Sequence, residues 1–130
     1  MNEEVLSVAK NTCLSKTRHI SDALYVLNGK WKIPLIFTLR HEPARFNQIL
    51  RSVEGITPKV LAKELRELEN NGFIIRKEDP SARGVFIYEA TDYADTLESV
   101  LAELDEWGRQ HLRKIKTEMR GAGDGPATQH

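Results

Sequence analysis

A helix start at Thr57 and Pro58, set directly after another short helix, constrains this chain more than any other feature of its sequence. A threonine hydroxyl readily accepts a hydrogen bond from a free N–H of the first helical turn, and proline is well tolerated at the first helical position. Apolar residues at helical spacing over residues 46–53 predict a short amphipathic helix that ends before Gly55. The sequence therefore predicts two helices joined by a tight link.

The second of these helices, predicted to run from Pro58 to about Asn71, has one apolar side and one polar side. Leu61, Leu65 and Leu68 recur at helical spacing and predict the side that packs against the core. The other side carries mainly cations and an amide: Lys59, Lys63, Arg66 and Asn70. On an arbitrary helix such charges are usually a solvated face, but their position directly after a short turn favours contact with a partner.

Two further helices are predicted upstream of this pair. Residues 20–27 carry apolar side chains at helical spacing and are followed by Asn28 and Gly29, which are typical of a helix C-terminus. Residues 31–40 are strongly apolar and tolerate Pro34 only because it falls in the first turn. This second segment is expected to be the buried central helix.

After the fourth helix the pattern changes from helical to extended and then back to helical. Residues 73–76 and 85–88 are rich in β-branched and aromatic side chains and predict two strands, with a turn-forming stretch at residues 79–84 between them. Thr91 and Asp92 then predict the cap of a long final helix. The broad apolar face of that helix consists of Leu97, Val100, Leu101, Leu104 and Trp107.

The charges are distributed unevenly along the chain, although 19 basic and 19 acidic residues give a formal net charge of zero. From Lys30 to Arg83 there are eleven basic and seven acidic residues, whereas from Gly84 to Gln110 there are one basic and seven acidic residues. Zero net charge by itself argues against a nucleic-acid partner, because phosphate binding needs concentrated Lys and Arg. The uneven distribution nevertheless allows one face to meet phosphate while another repels it.

Length and composition limit the class of protein. The 130 residues, 40% of them hydrophobic, fit one globular domain. We predict an N-terminal arm at residues 1–19 that contacts a dimer partner or is flexible, a folded domain at residues 20–119, and a disordered tail at residues 120–130. No stretch approaches the roughly 20 apolar residues of a membrane span. The start of the chain also lacks the pattern of a secretory signal, so we expect a cytoplasmic protein.

Several short blocks of residues stand in a particular order and spacing. They are Gly29-Lys30-Trp31-Lys32, Arg45-Phe46-Asn47, Gly55-Ile56-Thr57-Pro58-Lys59 with Leu61, Leu65-Arg66-Glu67-Leu68-Glu69, Asn71-Gly72, Tyr88, Thr91 and Trp107-Gly108. This pattern resembles the HxlR family of bacterial winged helix-turn-helix regulators, over roughly residues 21–111. The resemblance implies a mainly α (α+β) fold, a winged helix-turn-helix with a two-stranded β-hairpin wing and a long C-terminal dimerisation helix.

The resemblance also implies how such a protein binds double-stranded DNA. The helix that begins at Pro58 would enter the major groove, and the wing would touch the flanking backbone or minor groove. Groove contacts are implied for Thr57, Lys59, Lys63 and, further along the helix, Arg66. Contacts with the DNA backbone are implied for Arg45, Asn47 and Lys30, and a wing contact for Arg83. The wing departs from the family here, because it reads Arg83-Gly84-Val85 where related proteins often carry Pro-Pro-Arg.

Dimerisation is expected through the final helix, with residues 20–27 as a further contribution. The apolar face formed by Leu97, Val100, Leu101, Leu104 and Trp107 is too broad for one small domain to bury easily. Trp31 and Trp107 could instead stack on bases, but both lie in helical apolar patterns that are typical of a core or an interface. A twofold dimer of this kind, a repressor or an activator, predicts an inverted-repeat operator with half-sites about one helical turn apart.

Cys13, the single cysteine, is a redox-sensor candidate. A subset of the family senses oxidants or electrophiles through an N-terminal cysteine, and Lys16 and Arg18 would favour a reactive thiolate. Against this, Cys13 lies further upstream of Gly29 than the resemblance implies, and a lone cysteine is more often inert. The sequence names no effector.

Two other classes of function are alternatives to a DNA-binding regulator. Catalysis finds little support, because the four histidines are scattered and there is no Ser-His-Asp order, phosphate-binding glycine loop or paired-cysteine metal site; we therefore predict no enzyme activity, cofactor or metal. The rival reading is a protein-binding module in which Lys59, Lys63 and Arg66 meet an acidic partner. Competition by duplex DNA distinguishes these two readings.

Overall fold

The computed structural model describes the fold of residues 3–124, and its side chains from residue 15 to residue 121. The chain forms two compact units, the first ending at Thr91 and the second beginning at Asp92. Among the described residues, no helix is long and apolar enough to cross a membrane.

The first unit consists of four helices and a small sheet. The helices are α1 (Glu3–Val26), α2 (Lys32–His41), α3 (Phe46–Ser52) and α4 (Pro58–Asn70). The strands are β1 (Ala44–Arg45), β2 (Ile74–Glu78) and β3 (Phe86–Ala90). Helices α2, α3 and α4 lie within about two residues of their predicted bounds, whereas α1 begins well before the predicted start at residue 20.

The sheet has three antiparallel strands in the order β1-β3-β2, so the hairpin predicted from the sequence has an additional edge strand. Strands β2 and β3 pair from Ile74 with Ala90 to Glu78 with Phe86, and Arg45 of β1 pairs with Ile87. A strand of two residues has no alternating pattern to detect, which is why the sequence did not predict β1. Its consequence is that the residue preceding α3 is hydrogen-bonded into the wing.

The core of the first unit consists of apolar side chains from α2, α3, α4 and β2. The side chains that are almost completely buried are Leu35, Ile36, Leu39, Ile49, Leu61, Leu65, Leu68 and Ile74. Three of them come from α2, which agrees with the predicted buried central helix. Burial of each such side chain stabilises the fold by roughly 1.5–3 kcal/mol. The cluster therefore fixes the apolar side of α4 against the core, and the opposite side of the helix is exposed.

Thr91 closes the open end of the hairpin and does not cap the final helix as predicted. Its hydroxyl donates a hydrogen bond to the carbonyl of Gly72 at 2.5 Å, and its N–H donates to the carbonyl of Phe73 at 2.9 Å. The final α-helix begins only at Glu98, so Thr91 does not stand at its N-cap position. Thr91 has the residue type of an N-cap, but its side chain forms a hydrogen bond with Gly72, which is distant in the sequence.

The second unit consists of a 3-10 helix (Asp92–Leu97) followed by the long helix α5 (Glu98–Asp124). Helix α5 therefore begins later than predicted, because its first turns have the tighter 3-10 geometry. It crosses the tail boundary predicted at residue 120, as α1 crosses the arm boundary predicted at residue 19. The roles predicted for the two terminal segments stay predictions.

Candidate nucleic-acid interface

Helices α3 and α4 are joined by the tight link that the sequence predicted. Gly55 adopts a positive φ of 89°, a backbone conformation that residues with a side chain rarely adopt. The next residue, Ile56, is buried, and its N–H donates to the carbonyl of Val53 at 3.4 Å. Glycine reverses the chain and isoleucine anchors the link, so α4 begins at a defined place relative to α3.

Thr57 caps α4 as predicted. Its Oγ1 accepts a hydrogen bond from the N–H of Val60 at 3.3 Å, and Pro58 occupies the first helical position. Thr57 is exposed, so its hydroxyl hydrogen remains available to a partner while the oxygen serves the helix. The residue predicted to contact the groove is thus also the residue that starts the helix.

The exposed side of α4 carries what we term the cationic stripe: Lys59, Lys63, Arg66 and Asn70. The spacings of four, three and four residues place these side chains along one face of an α-helix. All four are exposed, whereas Leu61, Leu65 and Leu68 on the opposite face are almost completely buried. The structure therefore brings together the three cations that the sequence assigned to the groove.

Two of the three carboxylates of α4 form ion pairs with one lysine from α2. Lys32 is 5% exposed, and its Nζ lies 2.7 Å from Oε2 of Glu64 and 2.5 Å from Oε2 of Glu67. Glu64 is itself buried, at 8% exposure, and Glu67 is half-buried. By sequence α4 has three cations and three anions, but on its exposed surface the cations predominate.

The protonation states in this cluster follow from its geometry. Burial on its own would lower the pKa of Lys32, but its hydrogen bonds to Glu64 and Glu67 outweigh burial and raise that pKa above the ordinary value. The hydrogen bond from Lys32 in turn holds the pKa of Glu67 below its ordinary value. Lys63 also approaches Glu67, at 3.7 Å between Nζ and Oε1, but its side chain is 66% exposed. That surface pair is weak, so Lys63 is accessible to a partner.

Sequence reasoning assigned no role to Lys32, although a signal for one was present. Lys32 lies in a strongly apolar helix, and a lysine that turns towards a core is almost never found there without an acidic partner. The sequence could not show which carboxylate serves, because Glu64 and Glu67 follow Lys32 by 32 and 35 residues.

Arg45, a predicted backbone contact, precedes α3 and is held by Asp79 of the wing. Its Nε lies 3.0 Å and its Nη2 2.8 Å from the same oxygen of Asp79, Oδ2. The N–H and hydroxyl of Ser81, together with Arg45, keep the pKa of Asp79 at about 2. The ion pair is therefore formed throughout the neutral range, and the Arg45 side chain is still 43% exposed.

The other predicted contacts lie on separate elements of the same unit. Asn47 is exposed in the first turn of α3, and Arg83 is exposed in the turn between β2 and β3. Lys30 lies in the turn before α2, with its Nζ 4.7 Å from the centre of the Trp31 ring. Trp31 is half-buried beneath this cation.

The apolar face of α5 is largely exposed. Val100, Leu104 and Trp107 are 49%, 48% and 62% exposed, whereas Leu101, predicted to lie in the same interface, is buried at 5%. Leu97 is half-buried. The Trp107 ring stacks on His111 of its own helix, with the ring centres 5.0 Å apart. Cys13 lies outside the residues whose side chains the structure describes.

Comparison with known proteins places these features in a family. Residues 26–116 match the family described as HxlR-like helix-turn-helix. The chain is 39% identical over 99 residues to an uncharacterized HTH-type transcriptional regulator, BH0655, from Halalkalibacterium halodurans, which covers 72% of this chain and 88% of that protein.

Two solved structures are also similar. The redox regulator HypR in its reduced form superposes with a TM-score of 0.66 at 30% identity, covering 75% of this chain and 97% of that one. The reduced form of the transcriptional regulator YodB from B. subtilis superposes with a TM-score of 0.65 at 30% identity, covering 71% of this chain and 90% of that one. These values extend the likeness from the helix-turn-helix motif to most of the chain.

Proposed function

Because the chain belongs to the HxlR-like helix-turn-helix family of DNA-binding transcriptional regulators, which are not enzymes, we propose that it binds an inverted-repeat operator as a homodimer. Helix α4 of each protomer lies in the major groove of one half-site, about one helical turn from the other. A regulator of this kind acts where the chromosome is, which in a bacterial cell is the cytoplasm.

The observation that carries this proposal is the cationic stripe of α4. A carboxylate on a groove-facing helix would repel the phosphates, and Lys32 forms ion pairs with two of the three carboxylates of α4, those of Glu64 and Glu67. Lys59, Lys63 and Arg66 are free to donate hydrogen bonds to base edges, most favourably to O6 and N7 of guanine. Thr57 adds a hydroxyl donor at the start of the helix.

Contacts with the DNA backbone position the protein without reading sequence. We assign them to the side chains of Arg45 and Asn47 at the start of α3. Lys30, in the turn before α2, and Arg83, in the turn of the wing, extend these contacts to either side. Arg83 here takes the place of the arginine that wings of this family often carry.

The dimer is proposed to form through the exposed apolar faces of α5 and α1. In α5 these side chains are Val100, Leu104, Trp107, Leu112 and Met119. In the described part of α1 they are Ile20, Leu24 and Tyr25. An exposed apolar helix face often marks an interface, and a twofold dimer covers the same face on both protomers. Leu97 and Leu101 are less exposed, so we assign them a smaller part of the interface.

Trp107→Glu is expected to convert the dimer into a monomer, because it places a charge in the centre of a buried apolar interface. Sedimentation velocity at micromolar concentration measures the change. Ala102→Glu serves as the matched control, since it adds the same charge to an exposed position on the opposite side of α5. If Trp107→Glu remains dimeric, the interface lies elsewhere.

The function itself is tested by incubating the protein with fragmented genomic DNA of its source and sequencing the fragments that it captures. We expect a few promoter fragments that share an inverted repeat. The capture is carried out under reducing and under oxidising conditions, and a Cys13→Ser variant reports whether any difference depends on that residue. Redox sensing by Cys13 stays a prediction from the sequence, and HypR and YodB are the similar proteins that motivate its test.

The opposite outcome is equally specific. If no sequence is enriched under either condition, and an acidic protein binds the cationic stripe without competition from duplex DNA, the chain is a protein-binding module and the proposed function fails.

A further inference from the structure

One carboxylate joins the helix-turn-helix to the wing. Oδ2 of Asp79 accepts hydrogen bonds from Arg45, which precedes α3, and Oδ1 accepts from the N–H and hydroxyl of Ser81 at 2.9 and 2.8 Å. Arg45 and Asp79 are 34 residues apart in the sequence. Both oxygens of this side chain are therefore committed, one to each element.

Arg45 is more exposed than Asp79, so Arg45 is the partner that can also contact DNA. The Asp79 side chain is 13% exposed, whereas that of Arg45 is 43% exposed. A guanidinium has five N–H donors in a planar fork, and Arg45 uses those of Nε and one on Nη2 for Asp79. The remaining donors are held in a fixed orientation and are free to bind a phosphate.

The turn of the wing is fixed at the same point. The N–H of Asp79 donates to the carbonyl of Val85 at 2.6 Å, and Oε1 of Glu78 accepts from the N–H of Gly84 at 2.7 Å. Arg83 lies within the loop that these hydrogen bonds close. The Asp79 carboxylate thus orients Arg45 directly, and Arg83 through its hydrogen bonds to Ser81 in the turn.

We propose that Asp79 is a positioning residue for DNA binding, which strengthens the complex by orienting Arg45 and the wing turn although its own charge repels phosphate. This inference rests on the proposed function. It makes a prediction opposite in sign to that of simple electrostatics, since the loss of a negative charge beside a DNA-binding surface would otherwise tighten binding.

The test uses Asp79→Asn, Arg45→Ala and the double variant in the full chain. The probe is a fluorescein-labelled duplex of about 30 base pairs that carries the captured inverted repeat, long enough for two half-sites. Fluorescence anisotropy over a range of salt concentrations gives the affinity and its salt dependence. We expect Asp79→Asn to weaken binding about tenfold and to reduce the slope of log K against log salt by about one, as for a lost phosphate contact.

The double variant decides whether Asp79 acts through Arg45. We expect it to bind within about twofold of Arg45→Ala, because residues that act as a unit are not additive. Additive losses would show that Asp79 acts independently of Arg45 and would overturn the inference. Arg45→Lys keeps the charge without the planar fork, so the proposal predicts weaker binding for this variant as well, even if Asp79→Asn does not fold.

Glu89→Gln is the matched control, since it removes one carboxylate from the same sheet, where Glu89 pairs with Lys77 at 2.7 Å. It is expected to bind DNA as tightly as the wild type or more tightly. If Asp79→Asn behaves in the same way, with an unchanged salt slope, the positioning role is wrong while the regulator function stands. If the wild-type protein itself prefers no sequence, the proposed function fails and this inference fails with it.

Discussion

Replacing Lys32 with alanine is expected to lower the free energy of unfolding by about 3 kcal/mol, the low end of the range for removing one partner of a buried ion pair. The low end applies because Glu67 retains access to water, whereas Glu64 is 8% exposed and would be left without its partner. Urea denaturation followed by circular dichroism measures the change.

Two variants identify the cause of that loss. Lys30→Ala removes a lysine two residues away that is exposed over the Trp31 ring, and it is expected to cost less than about 1 kcal/mol. Lys32→Met together with Glu64→Gln removes both buried charges. It should recover part of the stability lost in Lys32→Ala, because that loss arises from leaving the buried Glu64 carboxylate without a partner. A Lys32→Ala protein as stable as Lys30→Ala would show that the buried pair contributes nothing.

The same ion pair sets a dependence on pH. Because the pKa of Lys32 is raised in the folded protein, its contribution is fully present below the ordinary lysine value of 10.5 and is lost as the pH rises through the folded value. The stability of the wild type should therefore fall above pH 10.5 more steeply than that of the Lys32→Met, Glu64→Gln variant.

Replacing Lys59 and Lys63 together with alanine is expected to weaken operator binding at least about 30-fold. Each contact with a base edge is worth about 1–3 kcal/mol, and both side chains lie exposed on the cationic stripe. Their removal leaves the apolar side of α4 untouched, so the free energy of unfolding should change by no more than about 0.5 kcal/mol per residue. Anisotropy titrations on the captured operator and on a scrambled duplex measure both affinity and specificity.

The control for charge is Lys16→Ala with Lys116→Ala, which removes the same two positive charges from exposed positions on α1 and α5. This variant should lose much less affinity. An equal loss on operator and scrambled DNA for the Lys59, Lys63 variant would reassign these residues to phosphate contacts. An unchanged affinity would contradict the placement of α4 in the groove.

Local patterns in the sequence were sufficient to predict most of the helices and strands and the exposed face of α4. Thr57 and Pro58 start a helix by hydrogen bonding and backbone geometry within one turn, so their role could be predicted without tertiary contacts. The leucines of α4 recur with the period of a helix, and this period alone places Lys59, Lys63 and Arg66 on the opposite face. These features depend on neighbours within about four residues.

What the sequence could not determine is which charges remain exposed and which are neutralised. By composition α4 is electrically neutral, and only the approach of Lys32 from α2 makes its free surface cationic. The sequence does not show whether Arg45 is free or paired, and in the structure it forms an ion pair with Asp79 of the wing. Thr91 has the pattern of a helix cap, yet it bonds to Gly72. In each case the partner lies 19 to 35 residues away, and such pairings are decided by how the core packs.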